Sequence, residues 1–466
     1  MSRLFIIFVI VYILLIQHLS AQVGTLFIRN ISVEGNKHTK EFVILRELTI
    51  QALDTISGEK LSKEFESSQT NLKNTALFAS INFNIKNWEN DTLDIVVMVT
   101  ERARFRPIPI FNLADRNFNV WWTEQNRSFK RVQYGAMVVY KNAFGLNHTI
   151  FGTATFGFAQ NYELEYRVPY FNDKKTLGGN FKFGFTQSKQ VQTGAFEDQT
   201  QFLEADKYLR RRYEVATNFI YRPKIRNIHS FKLNYFHYNI SDILSSKHPD
   251  YLLDGRNRVD FFQLGYSYEV DFRNFKFFPT AGWFLKVDFE RDGLGMFKED
   301  VNLTRMTFTY NHYITLGESG KHFTRHSMKL MLSGPEKQPY FLTRGMGFRQ
   351  DLVRGNELFL IDGQRFFLFK NDYKYKVLDV KLNYIKKFKG KKIGLMPLSL
   401  YVGGHFDAGA VRDSYYQMGN LLRNKMIYGW GVGVDFVTFY DRVFRLEYSF
   451  NQDFKNGVYL HFELPI

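Results

Sequence analysis

The sequence predicts a mostly β protein: a sixteen-stranded antiparallel transmembrane β-barrel preceded by a small β-α-α-β-β domain. Hydrophobic spacing is the first observation behind this. It is mixed up to Glu101, and beyond Arg102 it settles into strict alternation, which gives each strand one apolar and one polar face. The second observation is the character of those faces. Many strands run to ten residues or more, the apolar face is rich in aromatics, and the polar face carries full charges, as Lys286, Asp288 and Glu290 do in "GWFLKVDFE". A soluble sandwich alternates too, but long strands with a charged inner face and an aromatic outer one are the marks of a barrel with a wet lumen and no free edge in lipid.

Composition excludes a helical membrane protein. Hydrophobic residues make up 45% of the 466, but 49 Phe and 27 Tyr supply much of that share, and the mean hydropathy is −0.29. A helical bundle needs several runs of about 20 apolar residues, and only Leu4 to Ile16 is strongly apolar. That run follows Arg3 and precedes Ser20-Ala21, so residues 1–21 are expected to be a secretory signal peptide. With no Cys, the exported chain has no disulfides, no thiolate metal ligands and no lipoprotein anchor. A net charge of +16 suggests nucleic acid for a cytoplasmic protein. Export redirects it to anionic lipid headgroups and acidic periplasmic partners. The basic run "KKFKGKK", Lys386 to Lys392, reads as a soluble turn.

Residues 25–101 hold enough chain for one small core. In "TLFIRNISVEGNKHTK" the apolar positions Leu26, Ile28, Ile31 and Val33 predict a strand ending at Gly35-Asn36, and Thr39 is expected to cap a short helix through "KEFVILREL". Leu61, Phe65, Leu72 and Ala76 share one face of a second helix. "FASINFNI" and "DTLDIVVMVTER" then form two strands around the turn "NWENDT".

Residues 102–130 are expected to link this domain to the barrel at 131–466. Its sixteen strands are counted from Arg131, the first near 131–142, the fifth near 192–203, the twelfth near 363–376, the thirteenth near 396–410 and the last near 456–465. An even count closes an antiparallel barrel with both ends on one side. "GFAQN", "NFKFFPTAG" and "TFYD" read as tight periplasmic turns, while 241–257 and 335–362 read as long outer loops. The stretch 377–395 is long on the side where turns are short, and the sequence offers no reason for it.

The thirteenth strand contains "SLYVGGHFDAGAV". Leu400, Val402, Phe406 and Ala408 face one way, so Asp407 faces the lumen, where a carboxylate tends to find a cation. Loop 335–362 contains "QDLVRGNELFLIDGQRF", with Val353, Arg354 and Gly355 in its middle. Together with "ISVEGNKHTKEFVILREL", "NAFGLNH", "YRVPYF", "DFRNFKFFPTAG" and "HFDAG", taken in order, this chain resembles the Omp85 superfamily, the BamA and TamA type of outer-membrane protein (bacterial surface antigen D15), with one POTRA-like domain. The resemblance implies that loop six folds into the lumen, where Arg354 pairs with Asp407 and shares Asp372, next to the strand-thirteen motif of Phe406 and Gly409. A planar guanidinium suits that task because it bonds carboxylates at fixed geometry and stays charged. Asn356 stands where the family has an aromatic.

The function implied is assistance in inserting or translocating other proteins at the outer membrane. A POTRA-like domain offers strand edges to an unfolded client, and a seam between first and last strands serves as a template if its closure is weak. Gly457, Leu460 and Phe462 form an alternating terminal sorting signal, and Gly135 and Gly145 lie near the expected first strand. Expected partners are outer-membrane lipid, unfolded outer-membrane or secreted clients and accessory periplasmic proteins, with no nucleic acid. A passive channel is the alternative, although neither residues 25–101 nor an inward Arg354 serves one. No G-x-S-x-G, H-E-x-x-H or phosphate loop is present and the eleven His are scattered, so no catalysis, no cofactor and no metal is expected.

Overall fold

The computed structural model describes residues 24–463 except 173, 225, 277, 298–300, 384–394, 416–418 and 439–441. The expected signal peptide and the basic run Lys386 to Lys392 lie outside them. The chain forms two compact units, one comprising the chain up to Arg106 with Val139–Ile150, the other Pro107–Val138 with Phe151–Ile466.

The first unit contains β1 (Thr25–Glu34), α1 (Glu41–Leu45), β2 (Thr55–Ser57), α2 (Gly58–Asn74), β3 (Phe78–Glu89) and β4 (Thr92–Glu101), its sheet in the order β2-β1-β4-β3. The spacing of Leu26, Ile28, Ile31 and Val33 breaks period two between Ile28 and Ile31. A register shift between Ile28 and Asn30 restores it, and all four pack into the core. Leu61 and Leu72 are buried on α2, and Phe65 stacks on Phe83 at 4.8 Å, but Ala76 lies beyond the helix end in a left-handed conformation. Thr39 does not cap α1. Its backbone N–H donates to the Glu101 carboxylate at 2.6 Å, and its hydroxyl accepts from Asn142 Nδ2 at 2.8 Å. In "NAFGLNH", Gly145 has φ +74° and a Cβ there would lie 2.2 Å from the His38 carbonyl, so the position requires glycine.

Sixteen strands form the large sheet: β5 (Phe105–Leu113), β6 (Val132–Ala143), β7 (His148–Gly157), β8 (Ala159–Val168), β9 (Leu177–Ser188), then β12 (Arg210–Lys224), β13 (Asn227–Ile240), β14 (Arg258–Asp271), β15 (Gly282–Asp292), β16 (Leu303–Leu316), β17 (His322–Gly334), β18 (Arg365–Asn383), β19 (Leu395–Arg412), β20 (Met426–Val437), β21 (Val443–Asn451) and β22 (Asn456–Glu463). Neighbours in sequence are neighbours in the sheet, and β5 and β22 stand at its two ends. The polar face is the buried one. On β21, Arg445, Glu447 and Ser449 are at most 8% exposed, whereas Phe444, Leu446 and Tyr448 between them are 36–46% exposed. That inversion of the usual core suits lipid outside and an enclosed polar interior.

The number sixteen is as expected, but one member is new and one expected member is missing. The first strand is β5, inside the segment expected to be a linker. The expected fifth strand is instead a hairpin of β10 (Gln190–Phe196) and β11 (Gln199–Glu204) that forms its own two-stranded sheet. Pro107 and Pro109 disguise β5 in "FRPIPIFNL". Spaced two apart, they remove donors from one side of the strand, which an end strand tolerates and a central one does not. The two changes cancel in the count but reverse strands 131–188. "GFAQN" therefore lies at the same end as 241–257 and 335–364, and Gly135 sits on the second strand. Of the long turn expected at 377–395, residues 377–383 and Leu395 belong to strands, because the β18–β19 ladder continues to Asn383 and Leu395, and 384–394 lie outside the described residues.

The β10–β11 hairpin reaches connections far along the sheet. Asp198 at its tip accepts from the N–H groups of Leu421 (2.8 Å) and Leu422 (3.2 Å) through its carboxylate, and its carbonyl accepts from Leu360 N–H at 2.7 Å.

Candidate functional site: loop six and the terminal strand

Loop six, 335–364, crosses the buried polar face. Val353 packs with Met346, Ile361, Phe366, Leu368, Val411 and Ile427, which seats the loop on β18, β19 and β20. Next to it, Arg354 is 2% exposed and binds three carboxylates. Its Nε and Nη2 donate to Asp407 at 2.8 and 2.6 Å, and its Nη1 donates to Asp372 at 2.6 Å and to Glu447 at 3.1 Å. The backbone N–H of Arg354 adds a bond to Asp407 at 3.1 Å. Asp407 and Asp372 are the expected partners. Glu447 on β21 is a third that was not foreseen, although alternation in "FRLEYSF" already puts it on the lumen face.

The network continues. Asp372 also pairs with Arg325 at 2.6 Å, and Asp435 pairs with Arg445 at 2.7 Å and Lys374 at 2.9 Å. Buried charges persist only when paired and fully bonded, and removing one partner leaves the others stranded.

Glycine makes the loop's approach possible. Gly355 has φ +89°, and a Cβ on it would lie 2.4 Å from the Phe450 carbonyl. A Cβ on Gly429 would lie 1.8 Å from the Arg354 carbonyl. Gly409 sits under the loop, 3.0 Å from Met346 Sδ measured at its missing Cβ, while Phe406 is 44% exposed on the opposite face. Asn356 is buried, and its Nδ2 donates to the Tyr428 carbonyl at 3.4 Å.

Gly457, Leu460 and Phe462 lie on β22, paired with Ser449, Leu446 and Phe444 of β21. The edge of β22 meets α3 (Phe118–Thr123), a helix in the segment between β5 and β6. Asn119 bonds both backbone groups of Leu460, and the Phe118 ring meets Phe462 edge-on at 5.5 Å. Within the same segment Arg116 is buried. It donates to the loop-six carbonyls of Gly347 (3.1 Å) and Phe359 (2.8 Å) and to Thr200 (2.8 Å), while Asn117 Nδ2 donates to the Glu357 carbonyl at 2.8 Å. Arg131 closes the segment through Asp115 at 2.6 Å. Sequence reasoning missed these residues because two prolines hid the preceding strand. Four closely spaced polar residues amid aromatics in "LADRNFNVWW" were the available signal.

Two family models match the chain: the Omp85 superfamily domain over residues 142–365, and the surface antigen variable number repeat, POTRA, over residues 26–102. The chain carries an Omp85 superfamily domain preceded by a POTRA domain. This Omp85 protein is an outer-membrane β-barrel with a periplasmic N-terminal POTRA domain. Among solved structures it is similar to BamA from Haemophilus ducreyi lacking POTRA domains 1–3, with a TM-score of 0.58 and 14% identity over 94% of this chain and 83% of that one. It is also similar to CdiB from Acinetobacter baumannii, with a TM-score of 0.52 and 11% identity over 94% and 73%. At these identities the likeness is one of fold. No curated protein matches by sequence.

Proposed function

We propose that this Omp85 protein assists the insertion or translocation of other proteins at the outer membrane, its clients being unfolded outer-membrane or secreted chains. The observation that carries this reading is the edge of β22. At Leu460 the backbone is held by a side-chain amide, a partner that an incoming strand can replace with the same two bonds. The prolines of β5 support it, since they leave the other end strand poor in donors on one side. The periplasmic sheet supports it too, because β3, twelve residues long, lies at the end of its order and offers an edge to an extended chain or an accessory periplasmic protein.

Depletion of the protein followed by quantitative profiling of the outer membrane tests the reading. Loss of a defined subset of barrel or secreted proteins is the expected result. An unchanged outer-membrane proteome, together with a large steady conductance in a lipid bilayer, points instead to a passive channel.

A further inference from the structure

Beneath loop six, one group of side chains is left incomplete by the latch. Glu357 follows the loop tip, Glu447 lies on β21 and His461 on β22. Each carboxylate has one oxygen fixed and one free. Glu357 Oε2 accepts from Gly355 N–H at 2.8 Å, and Glu447 Oε1 accepts from Arg354 at 3.1 Å. Their other oxygens, Glu357 Oε1 and Glu447 Oε2, are buried with no hydrogen-bond partner, and so is His461 Nε2. Both carboxylates are at most 1% exposed. All three free atoms converge: His461 Nε2 stands 3.4 Å from Glu357 Oε1 and 3.3 Å from Glu447 Oε2, and the whole set lies within 4.8 Å.

We propose that Glu357, Glu447 and His461 form a divalent-cation site of the zinc class that ties the tip of loop six to the last two strands. Two buried carboxylate oxygens turned toward each other need a cation between them. Zinc binds nitrogen and carboxylate ligands at about 2.0–2.1 Å in a tetrahedron, which sets its ligand atoms about 3.3 Å apart. The observed spacings of 3.3 and 3.4 Å match that edge. One imidazole with two carboxylates suits zinc or manganese better than calcium, which takes six to eight oxygens. The bonds from Gly355 N–H and Arg354 orient the carboxylates, as outer partners of metal ligands do.

The rival occupant is a proton on His461, so the test separates the two. Full-length protein folded in detergent and stripped with a chelator is titrated with zinc chloride alone, by calorimetry and by thermal unfolding, and with cobalt chloride for its visible absorption. Expected are one tight site per chain, a raised unfolding temperature and a four-coordinate cobalt spectrum. Glu357→Gln and His461→Gln should each weaken binding by roughly tenfold or more. Both variants keep hydrogen-bonding groups of similar size, and a heat-shifted gel band confirms that they fold. Wild-type protein that takes up no stoichiometric zinc, or takes it up equally after both substitutions, overturns the site and leaves protonated His461 as the bridging cation.

Discussion

Asn119 holds Leu460 as a neighbouring strand would: its Oδ1 accepts from the Leu460 N–H at 2.9 Å and its Nδ2 donates to the Leu460 carbonyl at 3.2 Å. A carboxamide carries the same donor and acceptor as a peptide group, so one side chain satisfies one residue of a sheet edge. Asn119→Ala strips both bonds from a buried position and is expected to cost about 1–3 kcal/mol. Hydrogen exchange at the Leu460 amide should accelerate in this variant while the β20–β21 ladder stays protected. Equal protection of Leu460 in variant and wild type would mean that another group holds the edge.

Arg354→Ala leaves Asp407, Asp372 and Glu447 buried without their shared cation. The expected loss is about 3–5 kcal/mol, seen as a folded gel band that collapses at lower temperature. Arg354→Lys should recover only part of this, because an ammonium cannot bond Asp407 at two points and reach Asp372 as well. Unchanged heat-modifiability of the alanine variant would count against the latch.

Gly429→Ala attacks the same loop without removing a charge. Its new methyl would lie 1.8 Å from the Arg354 carbonyl, which is backbone and cannot swing aside. Loop six is expected to become protease-sensitive between 343 and 363, as in Arg354→Ala. A loop that remains resistant would show that the tip can retreat from β20 at little cost.

Arg116→Ala empties a pocket from which the guanidinium serves the carbonyls of Gly347 and Phe359 and the hydroxyl of Thr200. The buried carbonyls lose their donor, and the unfolding temperature should fall even though no carboxylate is bonded to this guanidinium. A variant that unfolds with wild-type protein would place the hold on loop six elsewhere.

In the periplasmic unit the Arg29 guanidinium, bonded to Asp94 through Nε at 2.9 Å, draws the Asp94 carboxyl down to about 2. A carboxyl depressed on folding adds stability above its ordinary value of roughly 4 and loses it as pH falls from there toward the folded value. The Asp94 carboxyl resonance should therefore titrate well below those of unpaired aspartates, and Arg29→Ala should return it to the ordinary range.

Most of the barrel was legible because period two is written into each strand, and inside-out burial turns that pattern into an address for every side chain. Asp407 was placed on the lumen face by alternation alone, and the partnership with Arg354 came from the order of motifs. What escaped was whatever broke the period or acted at a distance. β5 carries prolines where strands rarely do, the β10–β11 hairpin alternates as a barrel strand does while pairing only with itself, and Arg116 and Asn119 act on residues more than two hundred positions away. Such contacts leave no local mark. The meeting of Glu357 with His461 is of the same kind: two unremarkable polar residues whose adjacency exists only once the loop is folded inward.

The hairpin tip at Asp198 gives the cylinder an uneven stiffness. Rooted between the fifth and sixth strands, it grips loop six and the connection between β19 and β20, the thirteenth and fourteenth strands, and so works as a tie-rod spanning the outer mouth. A ring braced across its diameter cannot ovalise along that line. The brace divides the sixteen strands into two arcs of eight, β12–β19 on one side and β20–β22 with β5–β9 on the other, and it is the second that holds β5 and β22, the two end strands of the sheet.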